Sequence, residues 1–364
     1  MAEAVTVGRV RELRARDPRA VARAAARRRR RPLLPGDGGG LMLIAADHPA
    51  RGALGVRGAP AAMADRTELL ARLVLALSRP GVDGVLGTAD VLEDLLLLGA
   101  LEGKVVIGSM NRGGLAGASF ELDDRFTGYD ADTIARFGYD GGKMLCRIDL
   151  ADPATVSTLE ACARAVTGLS GHGLMAMVEP FMSHRVDGQV RNDLSVEAVV
   201  TSVAIASGLG ATSAYSWLKL PVVPGMDAVM AATTLPTLLL GGDPDGDPEE
   251  TYGQWEKALA LPGVRGLVVG RTLLYPPDGD VAGAVDVAAG LVHRKAAALP
   301  GAARACTVRT RHSPGMAGPA WSTRRPPAGH TPGCGCSTWR LAGRSPSTPG
   351  RTRCCCCRCP ARPP

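Results

Sequence analysis

The chain has 364 residues and a formal net charge of +7, with 46% apolar residues but only 4% aromatic residues. This length allows one large domain or two ordinary ones, whose cores aliphatic side chains must build. The sequence contains no run of about 18 apolar residues, so we expect no membrane span. The arginine-rich start lacks the apolar segment of a secretory signal. Only Cys146 and Cys162 precede Leu299, which is typical of a reduced, cytoplasmic protein.

Residues 1–35 predict a separate basic arm, with one helix over roughly Thr6–Arg30 that Pro32 and Pro35 end. The run Arg27–Arg31 is interpreted as a solvated helix face or a mobile arm. Its charge alone keeps nucleic-acid binding open as an alternative. No aromatic side chains interleave with the arginines, however, so we expect no nucleic-acid partner.

Between Gly40 and Ala298, short apolar runs alternate with helical patterns eight times. Strands that alternate with helices predict a parallel sheet, and eight such units predict a (β/α)8, or TIM, barrel over residues 36–299. An open, doubly wound sheet is the runner-up, but it would favour a glycine-rich first turn, which AADHPARG is not. The predicted strands are Leu41–His48, Val82–Thr88, Lys104–Asn111, Lys143–Leu150, Leu174–Met182, Ser213–Val223, Pro236–Asp243 and a last one beginning at Val264.

Residues 300–364 are predicted to be a disordered tail, because they are rich in Pro, Arg, Gly, Ser and Cys and lack periodic apolar spacing. The run Cys354–Cys357 has no C-x-x-C partner at a useful spacing, so we expect no metal there. GC-rich codons for Gly333–Pro360, read in another frame, instead encode an alternating sequence of ordinary composition. The tail is therefore interpreted as a reading-frame artefact, and the shifted sequence resembles the start of the 5-deoxy-glucuronate isomerase of inositol catabolism.

One lysine stands out on an apolar strand: Lys219, within SAYSWLKLPVV. Alternation predicts that Tyr215, Trp217 and Lys219 share one side of this strand. Burial lowers the pKa of a lysine, and a neutral amine can attack a carbonyl to form a Schiff base. The structural alternative is a lysine whose stem packs on the sheet while its amine reaches solvent.

Reactive groups of such barrels lie at the C-terminal ends of the strands. Asp47 and Glu179 share parity with apolar residues of the first and fifth strands, so independent strands are predicted to converge on one mouth. The backbone N–H groups of glycines at strand ends, with an arginine, are predicted to hold a phosphate. These candidates are Gly241, Gly242, Gly270 and Arg271, and two further arginines at strand ends are Arg112 and Arg147.

These residues carry a resemblance that covers about Gly40 to Ala298. The chain resembles class I, Schiff-base aldolases of the (β/α)8 type, which include deoxyribose-phosphate, fructose-bisphosphate and tagatose-bisphosphate aldolases. It is most similar to an actinobacterial barrel family associated with inositol catabolism. The resemblance implies that Lys219 in WLKLPVV forms the Schiff base. It also implies that Asp47 in AADHPARG and Glu179 in VEPF are the acidic partners, and that Gly270-Arg271 in VVGRTLLY contacts phosphate.

The chain departs from the deoxyribose-phosphate type at the fourth strand, where that type has a second lysine near the end. Lys143 is predicted to open this strand, with Arg147 nearer its end. Deoxyribose 5-phosphate is therefore disfavoured as a substrate. A metal-dependent aldolase would need several histidines, so we expect no metal and no cofactor; the histidines before Leu299 are His48, His172, His184 and His293.

The resemblance implies a lyase acting on a sugar phosphate. The predicted substrate is 2-deoxy-5-keto-gluconate 6-phosphate, cleaved to dihydroxyacetone phosphate and malonate semialdehyde, with Arg112 or Arg147 at the carboxylate end. Three alternatives stay open: deoxyribose-phosphate or another sugar-phosphate aldolase, a phosphosugar isomerase or epimerase on the same barrel, and a non-catalytic module that binds through the basic arm. The sequence leaves a homo-oligomer open.

Overall fold

The computed structural model describes residues 6–34, 39–242 and 246–298; for residues 295–298 it describes the backbone only. The predicted tail, its cysteine run and its interpretation as a frame artefact lie outside the described residues, as does Asp243.

Eight parallel strands close into a barrel, as predicted. Hydrogen bonding runs from strand to neighbouring strand, and closure comes from the pairing of the first strand with the last. Within the barrel the strands are almost wholly buried, which is typical of a sheet covered on both faces. The barrel strands are β1 (Leu41–Ala46), β2 (Gly84–Gly87), β3 (Val105–Ser109), β4 (Gly141–Ile148), β5 (Met175–Val186), β7 (Ser216–Leu220), β8 (Thr237–Leu240) and β9 (Val264–Val269), and β6 (Gln189–Asn192) lies outside the barrel.

Helices cover the outside of the barrel. Side-chain caps fix several starts; Asp65, for example, accepts hydrogen bonds from the backbone N–H groups of Thr67 and Glu68, an arrangement worth about 1 kcal/mol. None of the helices described combines the length and apolar character that crossing a bilayer requires. The helices are α1 (Val7–Arg16), α2 (Arg19–Arg27), α3 (Arg66–Ser78), α4 (Ala89–Leu97), α5 (Ala131–Arg136), α6 (Ala154–Gly171), α7 (Val196–Ser207), α8 (Met226–Ala231), α9 (Pro248–Leu259), α10 (Arg271–Leu274) and α11 (Val281–Ala298), with a 3₁₀ turn at Pro49–Arg51.

Alternation along the strands divides the core in two. One set of side chains packs between strands and helices, and a smaller set fills the barrel interior, including Leu43, Met177 and Trp217. Leu33 and Leu34 pack against this interior set from the segment before β1. The barrel is therefore a filled core, and polar side chains of inward parity must emerge at its ends.

The basic arm differs from its prediction. Two helices, α1 and α2, replace the single helix expected, because Asp17 ends the first and Pro18 begins the second. Nor is the arginine run merely solvated. Arg28 is buried and donates to the carbonyl oxygens of Lys104 (2.7 Å) and Gly138 (2.6 Å), and Arg31 pairs with Asp83 at 2.5 Å. These contacts lie at the N-terminal ends of the strands, opposite the predicted mouth.

Two strand predictions need correction. The sixth barrel strand is shorter than predicted: Tyr215 belongs to the preceding turn and is exposed, and Pro221, which has no N–H, ends the ladder. The fifth strand is longer than predicted and continues beyond the barrel into a hairpin with β6. Asp187 and Gly188 both have positive φ at its turn, so the Asp-Gly pair was an available hairpin signal.

Candidate active site

Lys219 lies on β7 and is buried among inward-facing residues of the barrel. Its Nζ donates to Oε1 of Glu179, on β5, at 2.7 Å. Trp217 shares the interior side of the strand, as the predicted alternation requires. The amine therefore ends at a carboxylate within the barrel, and the alternative of a lysine that reaches solvent is wrong.

Glu179 joins two lysines. Its Oε1 accepts from Lys219, and its Oε2 contacts Nζ of Lys143, on β4. Burial alone would raise the pKa of Glu179, but the charges of Lys143 and Lys219 and their hydrogen bonds outweigh it and lower that pKa well below its usual range. The side chain is therefore an anion held between two amines.

Lys143 is the residue of this cluster that the sequence prediction misplaced. The strand begins at Gly141, so Lys143 lies inside it and its Nζ comes within 3.2 Å of Oδ2 of Asp47. Gly141 and Gly142 belong to the strand, where the backbone of the neighbouring strand β5 approaches closely. A Cβ at Gly141 would lie 2.5 Å from the carbonyl oxygen of Met175. A lysine among aliphatic strand residues was the available signal, the same one that identified Lys219.

Burial lowers the pKa of Lys143 well below its ordinary value, opposed mainly by the negative charge of Glu179. The ground for disfavouring deoxyribose 5-phosphate thus fails, because a lysine of the fourth strand does reach the site.

Asp47 anchors the other side of the cluster. It is buried, and its Oδ2 accepts from Ser109 Oγ at 3.3 Å and contacts the guanidinium of Arg112. Arg112 also donates through Nε to Ser109 Oγ at 2.8 Å. Burial lowers the pKa of Arg112 to about 10. Asp47, Glu179, Lys219 and Arg112, predicted from four different strands, are thus brought together by the structure.

The charges of this cluster do not balance. Arg112, Lys143 and Lys219 face only two carboxylates, Asp47 and Glu179, so with every group ionised one positive charge is in excess. A buried charge without a partner is costly, and a lysine can shed its proton far more readily than an arginine. Loss of one lysine proton would therefore bring these five groups into charge balance.

The predicted phosphate-binding residues lie at the ends of β8 and β9. Thr272 Oγ1 donates to the carbonyl oxygen of Gly241 at 3.3 Å, so the two strand ends are adjacent. A Cβ at Gly270 would lie 2.4 Å from the carbonyl oxygen of Ala45, which only glycine avoids. Gly242 has a φ of +72°, and Arg271 Nη1 donates to the carbonyl oxygen of Gly55 at 3.5 Å.

Arg147 is engaged elsewhere. Its Nη1 donates to Oε1 of Glu121 at 2.5 Å and its Nη2 to the backbone carbonyl oxygen of the same residue at 2.8 Å. Both side chains are buried, and Glu121 belongs to the long connection after β3. Arg147 therefore fastens this loop to β4, with its guanidinium bound to Glu121. Among the described residues, no three His, Cys, Asp or Glu side chains come together as metal ligands would.

A family model described as Cgl0159-like matches residues 39–289, and the chain belongs to that family. Cgl0159 from Corynebacterium glutamicum, known as a crystal structure, is 59% identical over 78% of this chain and 96% of its own, with a TM-score of 0.76. No curated protein matches the chain.

More distant solved structures share the barrel. A Schiff-base-forming fructose-1,6-bisphosphate aldolase is 20% identical, over 75% of this chain and 99% of its own, with a TM-score of 0.52. An archaeal fructose-1,6-bisphosphate aldolase, whose catalytic lysine is covalently bound to the carbinolamine intermediate of its substrate, is 19% identical with the same coverage and TM-score. At this level of identity the likeness shows the fold.

Proposed function

We propose that this member of the Cgl0159-like family is a cytoplasmic class I aldolase that cleaves a sugar phosphate through an imine on Lys219. The observation that carries the proposal is the buried amine of Lys219, held 2.7 Å from Glu179 in a cluster with one cation too many. A neutral lysine is a nucleophile, and the protonated imine that it forms is a strong electron sink. Aldolases with the same fold, one of them with its lysine in a carbinolamine, support the proposal.

The geometry suggests a division of labour. Neutral Lys219 attacks the substrate carbonyl, and the C–N bond forms as the oxygen takes up a proton. Glu179, in hydrogen-bond contact with Nζ, carries protons between the amine and the carbinolamine oxygen until water leaves. Lys143 holds Glu179 in place and is itself held by Asp47, and the carboxylate of Glu179 balances the positive charge of the iminium. The bond between the α and β carbons then breaks, and its electrons pass to the iminium nitrogen.

The substrate phosphate is proposed to bind the backbone N–H groups of Gly241, Gly242 and Gly270, with Arg271 beside them. The finer proposal is 2-deoxy-5-keto-gluconate 6-phosphate, cleaved to dihydroxyacetone phosphate and malonate semialdehyde in inositol catabolism. Its support is the resemblance seen in the sequence. Arg112, at the edge of the cluster, is the guanidinium proposed to meet the substrate carboxylate, and Arg147, bound to Glu121, is the weaker candidate.

Deoxyribose 5-phosphate is a second candidate substrate, favoured by one observation. Lys143 on the fourth strand contacts the same carboxylate as Lys219, so the site has the pair of lysines whose predicted absence argued against this substrate. With this sugar the imine would form at the aldehyde carbon.

Borohydride reduction tests the proposal, because it converts an imine into a stable adduct. The protein is incubated with dihydroxyacetone phosphate, deoxyribose 5-phosphate or the keto-gluconate phosphate, reduced, and measured by intact mass and peptide mapping. We expect one adduct on Lys219, absent in Lys219→Arg and retained in Lys143→Arg. Turnover of a sugar phosphate without an adduct would instead identify the isomerase or epimerase alternative, with Glu179 as the base.

A further inference from the structure

His48, the residue after Asp47, is a polar residue at the mouth to which the proposed reaction assigns no role. Its Nδ1 lies 3.8 Å from Oδ1 of Asp47, is buried, and has no hydrogen-bond partner among the described residues. The side chain as a whole is 29% exposed. Because Nδ1 is buried, a molecule bound at this mouth could reach a ring nitrogen only at Nε2.

The backbone around His48 is held firmly. Its carbonyl oxygen accepts a hydrogen bond from the backbone N–H of Arg51 at 3.0 Å, within the 3₁₀ turn Pro49–Arg51. Arg51 is itself buried and donates to the carbonyl oxygen of Asn111 at 3.0 Å. The backbone that carries the imidazole is thus fixed at the end of β1.

Charged groups from several elements act on this ring. Burial, and then the positive charges of Arg271, Lys219 and Lys143, lower the pKa of His48 to about 3, and Glu179 opposes them. The free site therefore holds a neutral imidazole. A substrate phosphate at Arg271 would offset the strongest of these charges, so substrate binding would raise the pKa of His48. The groups that face it are Asp47 on its own strand, Lys143 on β4, Glu179 on β5, Lys219 on β7 and Arg271 after β9.

The other candidate proton acceptors are already occupied. Glu179 lies between two amines, and Asp47 accepts from Ser109 and contacts Lys143 and Arg112. The amine of Lys143 faces both carboxylates. Cleavage of a carbon–carbon bond nevertheless requires a group that takes the proton of the β-hydroxyl, and His48 is the neutral imidazole at this mouth.

We propose that His48 is the catalytic residue that takes the proton from the substrate's β-hydroxyl and returns it to the enamine carbon. The inference rests on the proposed imine at Lys219. The O–H bond breaks and its proton goes to Nε2, while the C–O bond becomes the aldehyde C=O. The electron pair of the breaking carbon–carbon bond forms the enamine. After the aldehyde leaves, the imidazolium protonates the enamine carbon, and water hydrolyses the imine.

The test separates imine formation from proton transfer. Dihydroxyacetone phosphate is the probe, because it can form the imine but has no bond to cleave. In D₂O, the parent protein should exchange a hydrogen of the hydroxymethyl carbon of this probe for deuterium, and borohydride should trap the adduct on Lys219. His48→Gln, which has no basic nitrogen, should be trapped to the same extent, while exchange and aldol cleavage fall about 100-fold or more.

His48→Asn serves as a second variant if His48→Gln does not fold, with melting temperature as the control. A variant that is trapped normally and exchanges within about threefold of the parent overturns the role of His48 but leaves the Schiff base standing. Absence of any adduct in the parent, with the whole panel of sugar phosphates, removes the proposed function and this inference with it. A merely structural role would lower trapping and exchange together.

Discussion

The two ends of the barrel use charged residues in opposite ways. At the N-terminal ends of the strands, Arg31 pairs with Asp83, and Asp83 also accepts from the backbone N–H of Met42 at 2.8 Å. Arg28 lies beside Asp140, whose Oδ2 accepts from the backbone N–H of Val106 at 2.8 Å. Each charge there is matched by an opposite charge or by backbone groups.

At the mouth, three cations meet two carboxylates and all five side chains are buried. At the opposite end, Arg28, Arg30 and Arg31 face Asp83 and Asp140, but the side chain of Arg30 is 55% exposed. Water stabilises the charge of a partly exposed cation, whereas desolvation makes the proton of a buried lysine easier to lose. The contrast teaches that an excess of cations alone does not mark a reactive site. The burial of two lysine amines is the distinguishing feature, and each end can be perturbed without the other.

Lys219→Arg should have the largest effect and act only at the mouth. Arginine keeps the positive charge but cannot form an imine, so we expect turnover to fall roughly 1,000-fold or more while the melting temperature changes little. Steady-state kinetics and thermal unfolding measure the two effects. Lys257→Arg, an exposed position on α9, is the matched control. Residual turnover near the parent level would remove Lys219 from the mechanism.

Glu179→Gln should remove one of the two anions and sharpen the imbalance. The pKa of Lys143 should fall further, because the negative charge of Glu179 is what raises it. Turnover should fall about 100-fold or more through loss of proton transfer at the carbinolamine. Glu256→Gln, exposed on α9, should behave like the parent. Parent-like kinetics in Glu179→Gln would show that another group moves this proton.

Arg28→Ala should act only at the opposite end. The Arg28 side chain is 1% exposed. Its removal would leave the carbonyl oxygens of Lys104 and Gly138 without the hydrogen bonds that Arg28 donates. We expect a loss of about 2–4 kcal/mol in the free energy of unfolding, with turnover per folded molecule unchanged. Arg16→Ala, at a side chain that is 82% exposed, should cost less than about 0.5 kcal/mol. Equal stability of the two variants in denaturant titrations would contradict a structural role for the arginine run.

His293→Gln should give a smaller effect with a defined pH dependence. The hydrogen bond to Asp83, and that to the carbonyl of Gly81, raise the pKa of His293. A raised pKa contributes stability below the unfolded value, about 6.5, and this contribution disappears as pH rises through the folded value. The side chain is 35% exposed, so solvent screening should hold the difference near or below about 1 kcal/mol.

The melting temperatures of the parent and His293→Gln should thus differ more at pH 5.5 than at pH 9. His184→Gln, exposed on the hairpin, is the control substitution. A gap that widens toward pH 9 would contradict the assignment.

Ending the chain after Ala298 should have the smallest effect. The sequence of residues 300–364 lacks the apolar spacing needed to bury a face. Melting temperature and turnover should both stay at parent values. Unfolding of the shortened chain, or one metal ion bound per molecule by the full-length chain, would overturn the frame-artefact interpretation. Sequencing the gene and its neighbourhood tests that interpretation directly.

The sequence predicted what depends on periodicity. Eight alternating units and the inward parity of Asp47, Glu179 and Lys219 follow from short-range patterns, and the structure agrees. Lys143 was misplaced because a Gly-Gly pair is locally a turn signal, and only the close approach of β5 makes it part of a strand. The arginine run was read as solvated because its partners, Asp83 and Asp140, are distant along the chain. Contacts of that range have no local signature.

The segment of Arg28 to Leu34 also bears on how the protein is made. It leaves the ribosome before any strand of the barrel, yet its partners Asp83, Lys104 and Asp140 follow far behind it. Leu33 and Leu34 pack on an interior cluster that includes residues of β1 and β9, the first and last strands to be synthesised. The arginines can therefore find their partners early, whereas Leu33 and Leu34 complete their packing only after β9 has been made. Until then the two leucines are exposed apolar side chains of the kind that chaperones bind.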